Sequence, residues 1–243
     1  MRIKLVVAYD GTAYSGWQIQ KNAVTVEGEL ERALSSLFKM PVDVEGCSRT
    51  DAGVHAMGNI AVFDICSTIP AEKIAFAVNT LLPEDIRVVS SCEVSEDYNP
   101  RFIKHIKTYE YRFSVGHILN PLTRLYSHQI INMPDIDKMN EACKFIVGEH
   151  DFKSFCAAGA QVETTVREVT AASVSANGNE VIMRVSGYGF LYNMVRIMAG
   201  TLLMVGEGKL EPAEIKKILE ARDRTKAGPT LPAKGLTLIG YEQ

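Results

Sequence analysis

Hydrophobic and polar positions in the first half of the chain follow two different periods. Stretches of period two, typical of strands, alternate with apolar positions at helical spacing. Thr25 precedes the first helical pattern and is a suitable N-cap. The predicted elements are a strand over 3–9, a helix over 26–38, strands over 42–45 and 60–63, a helix over 70–82 and a strand over 86–92. This order, β-α-β-β-α-β, is ferredoxin-like.

The second half follows a turn at Asn99-Pro100 and repeats this pattern with little shared sequence. Asn177-Gly178 predicts a tight hairpin, and Gly148 is placed to end a helix. The predicted elements are a strand over 107–115, a second strand after Asn120-Pro121, a helix over 134–147, strands over 166–176 and 180–186, helices over 191–205 and 212–222, and a strand over 236–241. We therefore predict an α+β protein with two halves, residues 1–104 and 105–243.

The helix that ends at Val205 is apolar nearly all round, which is typical of a buried helix. It is too short and, with Asn193 inside it, too polar to span a membrane. Arg196 lies in its middle, and a buried guanidinium needs an anionic partner. We expect that partner to be Asp51. The alternatives are that Arg196 reaches the surface or pairs with Glu168.

Residues 47–56 hold the densest group of candidate catalytic side chains. Arg49, Asp51 and His55 lie within seven residues, and Gly53 permits a turn that other residues resist. The predicted strands on either side would present these side chains on a rigid frame, where functional sites are often built. The alternative is an Asx-type turn in which Asp51 accepts local N–H groups and Arg49 is solvated.

Composition narrows the class of protein. With 243 residues, 47% hydrophobic content and a mean hydropathy of +0.01, the chain can bury a core as one large or two small domains. No apolar signal region follows Met1, so we expect a cytoplasmic protein. Five cysteines without a Cys-x-x-Cys pair argue against a disulfide framework and a zinc site, so we expect reduced, structural thiols.

The net charge of −3 lacks the basic excess that is usual for a nucleic-acid partner, but the charge is unevenly distributed. Residues 99–128 hold five cations and one acid, whereas residues 84–97 hold five acids and one cation. A basic face of this kind can steer RNA towards a protein. Ordinary solvated surface is the alternative.

Five short motifs, in this order along the chain, resemble those of the tRNA pseudouridine synthase A family. They are Tyr9-Asp10-Gly11-Thr12 through Gly16-Trp17-Gln18, Arg49-Thr50-Asp51-Ala52-Gly53-Val54-His55, Lys107-Thr108-Tyr109-Glu110-Tyr111-Arg112, Gly189-Phe190 through Asn193-Met194-Val195-Arg196, and Asp223-Arg224-Thr225 with Ala227-Gly228-Pro229-Thr230. They span nearly the whole chain, which makes their order more specific than any single motif. One departure is Ser48, where many members carry glycine.

The resemblance implies the pseudouridine synthase fold, in which two ferredoxin-like halves form one long mixed sheet with helices on one face and a central active-site cleft. It implies an isomerase that converts uridine to pseudouridine at positions 38 to 40, on the 3′ side of the anticodon stem-loop of tRNA. It also implies a homodimer that binds tRNA, with no cofactor and no metal.

The same resemblance implies roles for individual residues. Asp51 would be the nucleophile or base, and the expected pairing with Arg196, inferred above from the burial of that arginine, would keep it ionised. Arg49 would reach into the space that the flipped base vacates. Tyr109 would pack against the flipped uracil, while Tyr111 and Phe113, on the same face of the strand, would belong to the core or wall. The remaining substrate-site residues would be Asp10 and His55, and for His55 we favour a structural role.

Two other classes remain open from the residues themselves. A non-catalytic RNA-binding module can use the same β-α-β-β-α-β order with stacking aromatics. Such a module has no need for Arg49, Asp51 and a buried Arg196 together. A carboxylate-dependent hydrolase could use Asp51 and His55 to activate water, but glycoside hydrolysis normally needs a second carboxylate, and no motif supplies one.

Overall fold

The computed structural model describes residues 1–160 and 162–242, which form an α+β protein. Its strands are β1 (Arg2–Tyr9), β2 (Glu45–Gly46), β3 (His55–Asp64), β4 (Ile86–Val94), β5 (Ile106–Val115), β6 (His128–Ile130), β7 (Gly148–Asp151), β8 (Val166–Asn177), β9 (Glu180–Gly187) and β10 (Leu236–Glu242). Its α-helices are α1 (Val26–Phe38), α2 (Ile74–Asn79), α3 (Ile136–Ile146), α4 (Met194–Gly206) and α5 (Glu214–Ala221). None of the helices in the described residues is both long enough and apolar enough to cross a membrane.

The chain divides into two compact units. The N-terminal unit contains Met1–Lys104 together with Leu238–Tyr241, and the C-terminal unit contains His105–Thr237. The central part of β10 therefore belongs to the N-terminal unit, although it comes from the end of the chain. The sequence pattern assigns that strand to the second half, because its pairing with β3 cannot be recognised from local periodicity.

The N-terminal unit has the predicted β-α-β-β-α-β order. Strand β1 pairs antiparallel with β3 on one side and β4 on the other, and β3 also carries β2 and β10. Alternate residues of β1 are buried with apolar residues of α1 and α2, as the period-two pattern predicted. Thr25 is the N-cap of α1, and its hydroxyl accepts the N–H of Gly28 at 3.3 Å.

Strand β2 is much shorter than the predicted strand over 42–45. Val42 and Val44 are buried, as alternation predicted, but their backbone N–H groups bond to side chains of α1. Val42 donates to Ser35 Oγ at 3.0 Å and Val44 donates to Glu31 Oε1 at 3.0 Å. Because these N–H groups already have acceptors, they do not join a strand ladder, and regular pairing is confined to two residues.

The C-terminal unit is built on the strand order β5-β9-β8-β7, with β6 parallel to β5. The hairpin between β8 and β9 is confirmed, since Asn177 pairs with Glu180 and Gly178 has a φ of +56°. Strand β7 was not predicted. Gly148, expected to end a helix, has a φ of +118° but is the first residue of β7, and Val147 is the C-cap of α3.

Helix α4 is buried along almost its whole length, as its apolar sequence predicted. Gly200 lies so close to the following loop that a Cβ there would be 2.0 Å from the carbonyl oxygen of Pro229. Asn193, with a φ of +58°, begins the helix from the left-handed region. The Asn193–Arg196 motif therefore covers the start of the most buried helix of this unit.

Candidate active site

The predicted site residues fall into both units. Asp10, Arg49, Asp51 and His55 belong to the N-terminal unit, and Tyr109 and Arg196 to the C-terminal unit.

In the loop between β2 and β3, residues 48–51 alternate between buried and accessible positions. Ser48 is 5% exposed and Thr50 is 8% exposed, whereas Arg49 is exposed and Asp51 is half-buried. Such alternation is typical of an extended segment that packs one face against the protein. The same packing that buries Ser48 and Thr50 therefore presents the guanidinium and the carboxylate on the accessible side.

The turn that follows β1 holds this loop through backbone bonds. Trp17 N donates to the carbonyl oxygen of Thr50 at 3.1 Å, and Gly53 N donates to the carbonyl oxygen of Tyr14 at 3.2 Å. The hydroxyls of Tyr9 and Thr50 lie 2.7 Å apart in a buried hydrogen bond. The first and second sequence motifs are thus one structural unit, in which residues 9–17 support residues 50–54.

Two glycines of the supporting turn are required by this close approach. A Cβ on Gly11 would lie 2.0 Å from the carbonyl oxygen of Val54, and a Cβ on Gly16 would lie 2.6 Å from the carbonyl oxygen of Thr50. Gly16 also has a φ of +95°, which side chains disfavour. These glycines therefore allow the turn to contact the loop directly through its backbone.

Asp10 and His55 are brought together at the end of the loop. His55 is buried, and its Nδ1 accepts the N–H of Gly11 at 3.0 Å while lying 3.1 Å from Asp10 Oδ1. Because Nδ1 has one lone pair, it cannot accept from Gly11 and donate to Asp10 at the same time, and a neutral ring that accepts from Gly11 carries its proton on Nε2. Asp10 Oδ1 also accepts from the N and Oγ1 of Thr12. These contacts favour a supporting role for both residues.

Tyr14 and Glu27 support the same turn, and the sequence did not single them out. The Tyr14 hydroxyl donates to Asp85 Oδ1, and burial, together with this bond, raises the pKa of Tyr14. Glu27 is buried and accepts from Trp17 Nε1 at 3.1 Å and from Ile19 N at 2.9 Å. An acid in the first turn of α1 resembles an ordinary helix-dipole partner, so only the fold reveals its bonds to this turn.

Tyr109 lies in β5 opposite Val185 of β9 and is buried. Its ring meets that of Phe190 edge to face, with centroids 5.3 Å apart and planes at 86°. Tyr111 and Phe113 are fully buried, which confirms that they belong to the core. The Tyr109 and Phe190 motifs are therefore in direct contact.

Arg196 is half-buried and is oriented by two hydrogen bonds to neutral oxygens. Its Nε donates to the carbonyl oxygen of Leu231 at 2.7 Å, and its Nη1 donates to Asn193 Oδ1 at 2.6 Å. These bonds orient the guanidinium without neutralising its charge. The positive charge of Arg196 also acts on Tyr111 in β5. Burial raises the pKa of Tyr111, and the electrostatic field of Arg196 opposes that rise. Its pairing with Asp51 stays a prediction.

Part of the predicted basic face is used inside the protein. The buried carboxylate of Glu110 accepts from Arg112 at 2.6 Å and from Arg184, and Arg112 also pairs with Glu180 at 2.9 Å. Arg101 donates from Nε to the carbonyl oxygen of Gly46 at 2.9 Å, just before the loop. Arg112 therefore contributes little free charge for RNA.

Comparison with known proteins gives one consistent result. A protein-family model described as tRNA pseudouridine synthase matches residues 5–102 and 142–242. The chain is 46% identical over 241 residues to tRNA pseudouridine synthase A of Brevibacillus brevis, covering 98% of this chain and 97% of that protein. It is 46% identical over 241 residues to the protein of that name from Clostridium acetobutylicum, covering 97% of each chain. For the Caldicellulosiruptor bescii protein the identity is 42% over 237 residues, covering 98% of this chain and 97% of that protein.

Proposed function

Because this chain belongs to the tRNA pseudouridine synthase family, we propose that it isomerises uridine to pseudouridine in tRNA, on the 3′ side of the anticodon stem-loop. The N-glycosidic bond from C1′ to N1 breaks, the uracil turns, and C5 bonds to C1′. The proton on C5 is lost and N1 gains one, so the product is an isomer of the substrate. No group is supplied from outside, which agrees with our proposal that no cofactor or metal is used.

The observation that carries the proposal is the alternating burial of residues 48–51. Ser48 and Thr50 are held inside, so the Asp51 carboxylate is supported by the fold while part of it stays accessible. We propose that this carboxylate acts on the ribose, either by attacking C1′ or by removing a ribose proton. Both routes need an ionised acid in a fixed position, and the backbone bonds that hold this loop support the fixed position.

For the two arginines we propose separate roles. Arg49 is exposed on the same side of the loop as Asp51, and a planar guanidinium can stack on bases or bond to phosphate. It would occupy the space that the target base leaves in the RNA. Arg196, held by Asn193 and Leu231, would supply the positive charge that keeps Asp51 ionised.

For Tyr109 we propose contact with the flipped uracil. Extruding a base from a stack costs a few kcal/mol, and stacking on an aromatic ring returns about 1–3 kcal/mol per base. The edge-to-face contact with Phe190 fixes the ring of Tyr109 before substrate arrives. Asp10 and His55 would keep the loop in shape at the edge of the substrate site.

We propose that the protein acts as a homodimer on tRNA in the cytoplasm, by analogy with the family. Light scattering of the purified protein would test the dimer, with a monomer mass of 26.8 kDa as the alternative outcome.

The test of function is product analysis with tRNA that carries tritium at C5 of uridine. Isomerisation releases tritium to water and leaves pseudouridine in the RNA, hydrolysis releases free uracil, and a binding module leaves the RNA unchanged. We expect tritium release with one pseudouridine per modified site. Tyr109→Leu should release tritium more slowly, because the flipped base loses its aromatic contact. Free uracil as the main product would reject the proposal.

A further inference from the structure

The side-chain amide of Asn59, in β3, is bonded to the backbone at the start of the loop between β2 and β3, which carries Arg49 and Asp51. Asn59 Oδ1 accepts the N–H of Ser48 at 3.3 Å, and Asn59 Nδ2 donates to the carbonyl oxygen of Ser48 at 2.9 Å. The side-chain amide therefore forms the same pair of hydrogen bonds with the backbone of Ser48 that a residue of a neighbouring antiparallel strand would form, one donated and one accepted. Asn59 is 0% exposed, so water does not compete for these bonds.

Tyr241 of β10 completes the arrangement. Its hydroxyl donates to the same Oδ1 of Asn59 at 2.6 Å. The two lone pairs of Oδ1 are then both in use, one by Ser48 and one by Tyr241. Since the N–H of Ser48 can only donate and its carbonyl can only accept, a single orientation of the amide satisfies all three bonds. Tyr241 of β10 is thus linked, through Asn59, to the start of the loop that carries Arg49 and Asp51.

Two other asparagines make the same pair of bonds elsewhere. Asn79 Oδ1 accepts from Val88 N at 2.8 Å and its Nδ2 donates to Val88 O at 2.9 Å. Asn140 bonds likewise to Val174, at 2.9 Å and 2.8 Å. Both of these hold residues of regular strands, β4 and β8. Asn59 differs because it holds a loop residue.

We propose that Asn59 and Tyr241 are positioning residues for Arg49 and Asp51, an inference that rests on the proposed function. Ser48 directly precedes Arg49, and the next bonded residue is Thr50, so the segment that presents both charged side chains is fixed at two alternate positions. Displacing a catalytic group by about 1 Å can lower the rate by about 100-fold. The amide of Asn59 therefore controls the geometry of Asp51 through the backbone, without contact with substrate.

The test compares Asn59→Asp and Tyr241→Phe with Asn79→Asp and Asn140→Asp. Aspartate keeps the shape of asparagine but presents an oxygen to the backbone carbonyl in place of the Nδ2 donor, so each aspartate variant loses the bond to that carbonyl. Asn140→Asp also loses the bond from Nδ2 to the carbonyl oxygen of Ile136, which makes it the more demanding control. Tyr241→Phe removes one hydroxyl. We expect kcat for tritium release to fall about 100-fold in Asn59→Asp and about 5-fold in Tyr241→Phe, with KM for tRNA within about twofold of wild type. The two control variants should keep the wild-type kcat.

Hydrogen exchange gives a readout that does not depend on activity. Backbone amides of residues 49–53 should exchange faster in Asn59→Asp and Tyr241→Phe than in wild type, and at the wild-type rate in Asn79→Asp. If Asn59→Asp does not fold, the inference is tested by kcat and hydrogen exchange of Tyr241→Phe, since that substitution removes only a hydroxyl. Unchanged kcat and unchanged exchange in Tyr241→Phe, or an equal fall of kcat in the control variants, would overturn the inference. A wild type without isomerase activity would instead reject the proposed function, before any variant is compared.

Discussion

The hydroxyl of Tyr9 lies 2.7 Å from Oγ1 of Thr50, the residue that directly precedes Asp51. This buried bond joins the end of β1 to the loop that carries the proposed catalytic carboxylate, so the strand that begins the chain helps to set the position of Asp51.

Thr50→Val keeps the shape of the side chain and removes this bond. Because Tyr9 would keep a buried hydroxyl that has lost this hydrogen-bond partner, we expect the free energy of unfolding to fall by about 1–3 kcal/mol and kcat to fall with it. Urea denaturation and tritium release measure the two effects. Thr165→Val, which removes a hydroxyl bonded to Asp151 in the other unit, is the control and should lower stability without lowering kcat.

Asp51→Asn tests the proposed carboxylate chemistry directly. Asparagine has the same shape but no negative charge, so it should bind tRNA within about twofold of the wild-type Kd. It should release no tritium above background. The neutral substitution Asp137→Asn on the exposed start of α3 controls for charge and should behave as wild type. Substantial tritium release by Asp51→Asn would remove this residue from the mechanism.

Gly11→Ala tests the backbone contact between the supporting turn and the loop. The added Cβ would be 2.0 Å from the carbonyl oxygen of Val54, so the loop or the turn must move. We expect strongly reduced activity and a lower melting temperature. Gly58→Ala in β3 is the matched control, because its Cβ would make only ordinary contacts, at 3.4 Å and beyond. Equal activity of the two variants would contradict the close packing described for Gly11.

Arg196→Met tests the proposed source of positive charge. Methionine preserves much of the apolar packing of α4 but loses the guanidinium, so we expect activity to be lost while folding is largely preserved. Arg196→Lys should also be impaired, because one ammonium cannot bond to both Asn193 and Leu231 in the geometry of Nε and Nη1. Circular dichroism and tritium release separate folding from activity, with the exposed Lys217→Met as control. A fully active Arg196→Met enzyme would refute the role.

The five cysteines are all free thiols, as the sequence predicted. Cys66 and Cys92 are exposed, whereas Cys47 and Cys143 are buried, and burial raises the pKa of Cys143 to about 12. A raised pKa leaves less thiolate at neutral pH, so Cys143 should react with a disulfide reagent only after unfolding. Thiol titration of the native protein should show two fast groups. Rapid labelling of Cys143 in the native protein would contradict this burial.

Local patterns predicted most of the elements because each pattern reports a local requirement. The helical spacing behind Thr25 gave α1 and its cap, and Asn177-Gly178 gave the hairpin of β8 and β9. Where side chains compete with the strand ladder, local patterns fail. Alternation at Val42 and Val44 predicts a longer strand, but side-chain oxygens of Ser35 and Glu31 accept their backbone N–H groups.

The sequence by itself determined the α+β class and the order of elements in the N-terminal half, because hydrophobic spacing is a local property, and the resemblance of its motifs to a known family singled out Asp51 as the proposed catalytic residue. Only the tertiary structure decided that residues 9–17 support residues 50–54, that β10 adds to the N-terminal unit, and that Asn59 and Tyr241 bear on Ser48. These contacts join residues far apart in the chain. Their hydrogen bonds depend on burial and on the position of each backbone group, which no local pattern records.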